Sequence, residues 1–114
     1  MADSGGQRLL VDPQLLNEPN ADLRVDRMEL ELNTNLPGDP RDTTTPRAMV
    51  ETMHKLLIGR ALSESSRTQL LEWLTNCTTG LKRIRAGLPS DWKTGDKTGT
   101  GANGAVNDIA ITWP

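Results

Sequence analysis

Apolar residues recur at helical spacing in two adjacent stretches of the chain. Thr45 followed by Pro46 is typical of a helix start, because a threonine N-cap satisfies a free backbone amide and proline is tolerated at the first helical position. The pattern predicts one helix over about 46–59 and a second over about 63–76, with Ser63 as the N-cap of the second. We expect the apolar side chains on these helices to form the core, including Met49, Met53, Trp73 and Leu74.

The C-terminal part of the chain changes to a strand pattern. Residues 92–100 favour a strand, Gly101–Gly104 a turn, and Val106–Trp113 a second strand in which apolar and polar residues alternate. A hairpin over about 92–113 next to two helices predicts an α+β fold.

The N-terminal part has no long periodic pattern. Residues 1–23 mix turn formers with short apolar pairs, and we expect them to be weakly structured. Residues 24–45 are rich in charges and turn formers, with one helical turn around Glu29–Leu32. A loop of this length inside a compact domain is usually functional or disordered. The acidic and basic side chains within the loop can pair with one another, which favours a functional loop.

Composition narrows the possible functions. The chain has 114 residues, which favours a single domain, and 13 basic against 15 acidic side chains give a net charge of −2. The chain has no excess of positive charge that would indicate nucleic acid or an anionic membrane as a partner. Neither a secretion signal nor a membrane span is recognisable, so the sequence as written predicts a cytoplasmic protein. Cys77 is the single cysteine and is expected to be a free thiol.

The glycine-rich stretch DKTGTGANGAV fits two motifs. Gly99, Gly101 and Gly104 match G-x-G-x-x-G, but a dinucleotide site needs a following helix and a distant acidic residue, whereas here a β-branched strand follows. The second motif, the K-T-G triplet of 97–99, places a cation and a hydroxyl on a strand. The triplet is common, so its significance depends on the rest of the chain.

Two long segments supply that context. RVDRMELELNTNLPGDPRDTTTP, with its E-x-x-x-N core and closing R-D-T-T-T-P, resembles the omega loop of class A serine β-lactamases. RIRAGLPSDWKTGDKTGTGANGAVNDIAITWP continues the resemblance, which covers residues 24–114. It implies a partial serine β-lactamase-like α+β fold, with helices packed on a remnant antiparallel hairpin. It also implies a β-lactam substrate, no cofactor and no metal.

Residues of the omega loop would then have catalytic and structural roles. Glu29 and Asn33 lie four apart, so one helical turn places a carboxylate and an amide on the same side, where both can hold a water. The resemblance implies that Glu29 is the general base of deacylation, and that Arg27 and Asp42 tie the ends of the loop together. Leu30 is a departure, since many members carry a proline in a cis peptide after this glutamate.

The resemblance also assigns roles on the K-T-G strand. Lys97 would attract the substrate carboxylate and support proton transfer, Thr98 would hydrogen-bond that carboxylate, and Gly99 would leave room for the substrate. The backbone N–H of Thr100 would form half of an oxyanion hole. Arg83 lies where some members keep an arginine that reinforces carboxylate binding, and a surface cation is the equal alternative.

The nucleophile motifs of the family do not occur before Glu29. Class A enzymes use a serine in S-x-x-K and another in S-D-N, both N-terminal to the omega loop. SDWK at Ser90–Lys93 matches S-x-x-K, but it follows a proline and leads directly into the strand, so its serine and lysine are not expected to share a helical face.

We therefore expect an internal fragment of a class A β-lactamase that is inactive alone. The alternatives are a non-catalytic protein that binds carboxylates, a pseudo-enzyme that pairs with a complementing N-terminal half, and a translated relic without function. Self-association through the open edge of the hairpin is also expected. The full-length family is periplasmic or secreted.

Overall fold

The computed structural model describes residues 23–114. The predicted segment 1–23 therefore lies outside the described residues except for Leu23, which is buried. From Leu23 the chain runs through the omega loop to Thr45, and a short 3₁₀ turn at Glu31–Asn33 interrupts the loop. The peptide bond between Glu29 and Leu30 is cis.

Two helices follow the loop. Helix α1 spans Pro46–Leu57, and Thr45 Oγ1 accepts a hydrogen bond from the Ala48 amide at 3.1 Å. Helix α2 spans Glu64–Thr75, and Ser63 caps it by accepting a hydrogen bond from the Ser66 amide at 3.2 Å. Both helices end slightly before the C-terminal limits predicted from sequence. The next residues, Ile58 and Asn76, cap the last turns by donating their backbone amides to the carbonyls of His54 and Glu72.

The two strands form an antiparallel hairpin. Strand β1 spans Lys93–Thr100 and β2 spans Val106–Trp113, with Lys93 opposite Trp113 and Thr100 opposite Val106. Asn103 and Gly104 at the turn have φ angles of 56° and 78°, a region that asparagine and glycine adopt more readily than other residues. The hairpin and helices confirm the predicted α+β class.

The core of the described part is small. Its buried apolar side chains are Leu23, Ala48, Leu57 and Leu74. Gly95 lets α2 approach β1 closely, since a Cβ there would lie 2.9 Å from the Leu74 Cβ. The expectation that Trp73 is a core residue is wrong, because 38% of its surface is exposed, and Met49 and Met53 are half-buried. Helical spacing alone does not show which side of α2 the hairpin covers.

Candidate active site

A charged network joins the two ends of the omega loop. Arg27 Nε donates to Asp42 Oδ2 at 2.7 Å, and Arg27 Nη2 donates to Thr34 Oγ1 at 3.0 Å. Asp42 Oδ1 accepts the backbone amides of Asp26 and Arg27, while Asp26 Oδ2 accepts the amide of Asp42. The side chains of Arg27 and Asp42 are only 19% and 6% exposed, so solvent screens this pair little.

The loop carboxylates are held in their charged forms. Partial burial raises the pKa of Asp42, but the hydrogen bonds donated by Arg27 and the Asp26 amide outweigh it and hold the pKa below its usual value. The side chain of Arg24 lowers the pKa of Asp26, and that of Arg41 lowers the pKa of Asp39 to about 2. The network therefore stays ionised well into the acidic range.

Glu29 and Asn33 form a pair on the exposed side of the loop. Asn33 Nδ2 donates to Glu29 Oε2 at 2.7 Å, and Asn33 is the last residue of the 3₁₀ turn Glu31–Asn33. The amide orients the carboxylate and leaves its other oxygen free of any protein donor among the described residues. A carboxylate held in this way can take a proton from a water bound beside it.

The K-T-G strand presents its polar groups at the surface. Lys97 and Gly99 are exposed, and Lys97 Nζ donates to the Thr98 carbonyl at 2.8 Å, which leaves two of its three donor hydrogens for a ligand. Thr98 Oγ1 lies 2.8 Å from Thr79 Oγ1, which in turn lies 3.2 Å from Cys77 Sγ. Hydrogen bonds with Thr79 lower the pKa of the Cys77 thiol.

Arg83 reaches the same strand from the segment after α2. Its Nη2 donates to Thr100 Oγ1 at 2.9 Å, and its Nη1 donates to the Asn107 carbonyl at 2.7 Å. The structure thus brings Arg83 together with the end of β1, where Thr100 is the last residue of the strand. The guanidinium is fixed by the hairpin and adds a positive charge near the K-T-G residues.

A buried ionic centre underlies the hairpin. Asp96 is completely buried, and its Oδ1 accepts a hydrogen bond from Arg85 Nε at 2.6 Å. Asp108 accepts a hydrogen bond from the amide of Ile84 at 3.1 Å, and its pKa is raised first by burial and then by the neighbouring Asp96 carboxyl. Gly80 is required beside this centre, since a Cβ there would overlap Asp96 Oδ2.

The omega loop contacts the turn of the hairpin directly. Asn35 Nδ2 donates to the Ala102 carbonyl at 3.0 Å, and Asn103 Nδ2 donates to the carbonyls of Thr34 and Asn35 at 3.2 and 3.0 Å. The loop that carries Glu29 and Asn33 is thereby joined to the hairpin that carries the K-T-G residues.

The SDWK segment does not bring Ser90 and Lys93 together as an S-x-x-K motif would. Ser90 lies in a turn and Lys93 on β1, where Lys93 Nζ lies 4.9 Å from the centre of the Trp113 ring. This cation–π contact draws the ammonium toward β2. No helical face presents the two side chains together, in agreement with the sequence argument.

Residues 23–114 contain no cluster of three or more histidine, cysteine, aspartate or glutamate side chains arranged to hold a metal ion. They also contain no helix with the length and hydrophobicity needed to cross a bilayer.

The sequence profile of the Beta-lactamase enzyme family matches residues 7–114. The chain belongs to this family, in its class A. The match begins at Gln7 in the N-terminal segment, before the omega loop. Among relatives of the β-lactamase chain, CTX-M-97 of Escherichia coli is 58% identical over 91 residues, and OXY-1 of Klebsiella oxytoca is 57% identical over 91 residues. Each alignment covers 80% of this chain and 31% of the relative.

Solved class A structures contain the fold of this chain as part of their own. An ancestral Gram-negative class A β-lactamase is 62% identical with a TM-score of 0.77, over 81% of this chain and 35% of that one. The last common ancestor of Gram-negative bacteria in the same class gives 57% identity and a TM-score of 0.80, over 87% of this chain and 37% of that one. The chain spans about a third of the length of the relatives it matches.

Several contacts of the site were not predicted from sequence. Asp26, Thr34 and Thr79 share hydrogen bonds with predicted site residues, and the Arg85–Asp96–Asp108 centre supports the hairpin. The RVDR run of 24–27 indicated charge partners but not their geometry. The other contacts join residues far apart in sequence, and no local pattern points to them.

Proposed function

We propose that this chain supplies the general-base and carboxylate-binding side of a class A β-lactamase active site, which hydrolyses the β-lactam amide through a serine acyl-enzyme. The observation that carries the proposal is the hydrogen-bonded Glu29–Asn33 pair on a loop joined to the K-T-G hairpin. The catalytic serine is supplied by an S-x-x-K segment of the N-terminal half of the family's fold.

In the acylation step, the serine oxygen attacks the lactam carbonyl and the C–N bond breaks, leaving an ester on the serine and a protonated ring nitrogen. Lys97 and Thr98 bind the substrate carboxylate, and Arg83 strengthens the positive potential there. The amide of Thr100 stabilises the oxyanion together with the amide of the serine.

Deacylation is the step that depends on the omega loop. A water held between Glu29 and Asn33 attacks the ester carbonyl as Glu29 takes its proton. The serine oxygen then leaves and regains a proton, so the product is a carboxylic acid and the enzyme is restored. Arg27 and Asp42 act on this step indirectly, because they hold the loop.

A complementation experiment tests the proposed function. The 114-residue chain alone should not hydrolyse a chromogenic cephalosporin, because Glu29 and Lys97 have no acyl group or oxyanion to act on. Adding an N-terminal fragment of a family member that carries S-x-x-K and S-D-N should restore turnover. Glu29→Ala should abolish it, and Glu31→Ala, on the same loop, should not. Turnover by the chain alone, or restored turnover that is indifferent to Glu29→Ala, would refute the proposal.

The second candidate is a non-catalytic role in which the K-T-G surface binds carboxylates. Lys97, Thr98 and Arg83 supply the positive and hydroxyl groups that such binding requires. Binding of a β-lactam carboxylate by the chain without turnover, even in the presence of the N-terminal fragment, would favour this role. For the catalytic role we place the activity in the periplasm or outside the cell, where class A β-lactamases typically work.

A further inference from the structure

Two asparagines exchange hydrogen bonds between the omega loop and the hairpin turn. Asn35 donates to the carbonyl that precedes Asn103, and Asn103 donates to the carbonyl of Asn35 and to that of Thr34. Each asparagine thus donates into the segment that carries the other. We call these three hydrogen bonds the amide clasp.

The backbone conformation of both residues does not by itself explain the asparagines. Asn35 has a φ of 45° and Asn103 a φ of 56°, and glycine would adopt either angle with less strain. The side-chain amides are therefore a separate feature. They add three hydrogen bonds between two segments that are distant in sequence.

The clasp lies close to the predicted catalytic groups. Asn35 follows Asn33 by two residues, and Asn103 follows Thr100, the end of β1, by three. A Cβ built at Gly101 would lie 3.7 Å from the Asn33 carbonyl oxygen, so the loop passes close to the turn at this point. A shift of the loop away from the turn would carry Glu29 and Asn33 with it.

We propose that Asn35 and Asn103 are positioning residues, whose amide clasp fixes the omega loop, and with it the Glu29–Asn33 pair, against the K-T-G hairpin. The fixed position follows from the contacts above, and its meaning for deacylation rests on the proposed function. The Arg27–Asp42 pair holds the base of the loop, whereas the clasp holds the side that carries the general base.

Hydrogen exchange in the 114-residue chain tests the clasp without substrate. Asn35→Gly and Asn103→Gly remove the amides while keeping the positive φ favourable. Either variant should speed exchange of the Leu32, Asn33 and Thr34 amides by about tenfold, as expected for the loss of one or two hydrogen bonds. The Asp26 and Arg27 amides at the loop base should be unchanged. Asn76→Ala, at the exposed end of α2, is the matched control and should change neither group.

A double variant distinguishes a clasp from independent contacts. In the double variant Asn35→Gly with Asn103→Gly, the amides of residues 32–34 should exchange at most about twofold faster than in the faster single variant. The reason is that both changes break one cooperative unit. Unchanged exchange in both single variants, or unprotected amides at residues 32–34 in the unaltered chain, would overturn the proposal.

Kinetics with the complementing fragment test the positioning role. Asn103→Gly should slow deacylation by about tenfold and leave acylation within about twofold, since Glu29 acts mainly on the ester. Equal losses in both steps would indicate a general structural effect and overturn the positioning role. If the unaltered complex shows no turnover, the proposed function fails, and the exchange data alone decide whether the clasp holds the loop.

Discussion

Arg27 shows how one side chain can hold a long loop at two points. Its guanidinium is planar and presents several N–H groups in fixed directions, so Nε reaches Asp42 while Nη2 reaches Thr34. Asp42 then accepts two backbone amides with its other oxygen. The loop base is therefore held by directional hydrogen bonds more than by the net attraction of two charges.

Replacing Arg27 with lysine tests this geometry because the charge is kept. The ammonium cannot bond Asp42 and Thr34 in the same arrangement, so we expect exchange of the Asp26 and Arg27-position amides to rise by about tenfold. Arg24→Lys is the control, since its contact with Asp26 is exposed. Equal protection in Arg27→Lys would show that charge alone holds the loop.

At the scale of elements, the hairpin depends on the ionic centre beneath it. Asp96 and Asp108 lie on different strands, and each has a buried oxygen that has no hydrogen-bond partner in the described part of the chain. Burial, followed by the neighbouring Asp96 carboxyl, raises the pKa of Asp108, while Arg85 pairs with Asp96. The centre therefore joins β1, β2 and the segment after α2.

The pH dependence of this centre has a definite sign. The pKa of Asp108 is raised above 3.8, so the folded chain holds a proton that the unfolded chain releases. Its contribution to stability is complete below that value and is lost as pH rises through the raised pKa. The loop aspartates act in the opposite direction, because their lowered pKa values make their contribution disappear only as pH falls, for Asp39 toward about 2.

Asp108→Asn should remove this loss of stability on the alkaline side. The amide resembles the protonated acid but does not titrate, so the free energy of unfolding, measured by circular dichroism, should vary less with pH above about 4. Asp91→Asn, at an exposed site, should leave the profile unchanged. An Asp108→Asn profile that matches the unaltered chain would mean that protonation of Asp108 does not stabilise the fold.

The elements differ in how far the sequence could predict them. Caps at Thr45 and Ser63, the Gly101–Gly104 turn and the alternation of β2 are local, so their elements were predicted closely. The Glu29–Asn33 contact was predicted from a four-residue spacing on one helical turn, but the structure forms it with a 3₁₀ turn that begins only at Glu31. The clasp, the Thr79–Thr98 contact and the Asp96–Asp108 pair join residues separated by the fold, and Trp73 was misplaced because helical spacing does not show which side of α2 is covered.

At the scale of the molecule, much apolar surface of the described part is exposed. Val106 on β2 is 62% exposed, and β2 pairs within residues 23–114 only with β1. An unpaired strand edge with exposed apolar residues favours association with another chain. The family relatives are about three times as long, so such surface has a natural partner in the rest of their fold.

Val106→Lys should reduce self-association of the chain, because a charge on an edge strand opposes pairing. Sedimentation velocity should show a mass that rises with concentration for the unaltered chain and less so for the variant. Leu81→Lys, a similarly exposed site away from the strands, should behave as the unaltered chain does. A monomer at all concentrations would contradict association through this edge.

In the proposed mechanism, Glu29 activates water against an acyl group carried by a serine on another segment. Intact-protein mass spectrometry of the complemented Glu29→Gln variant, after mixing with a β-lactam, measures this directly. We predict a persistent adduct of the substrate's mass on the serine-bearing fragment and none on this chain. An adduct on Ser90, or rapid loss of the adduct despite Glu29→Gln, would show that Glu29 does not have this role.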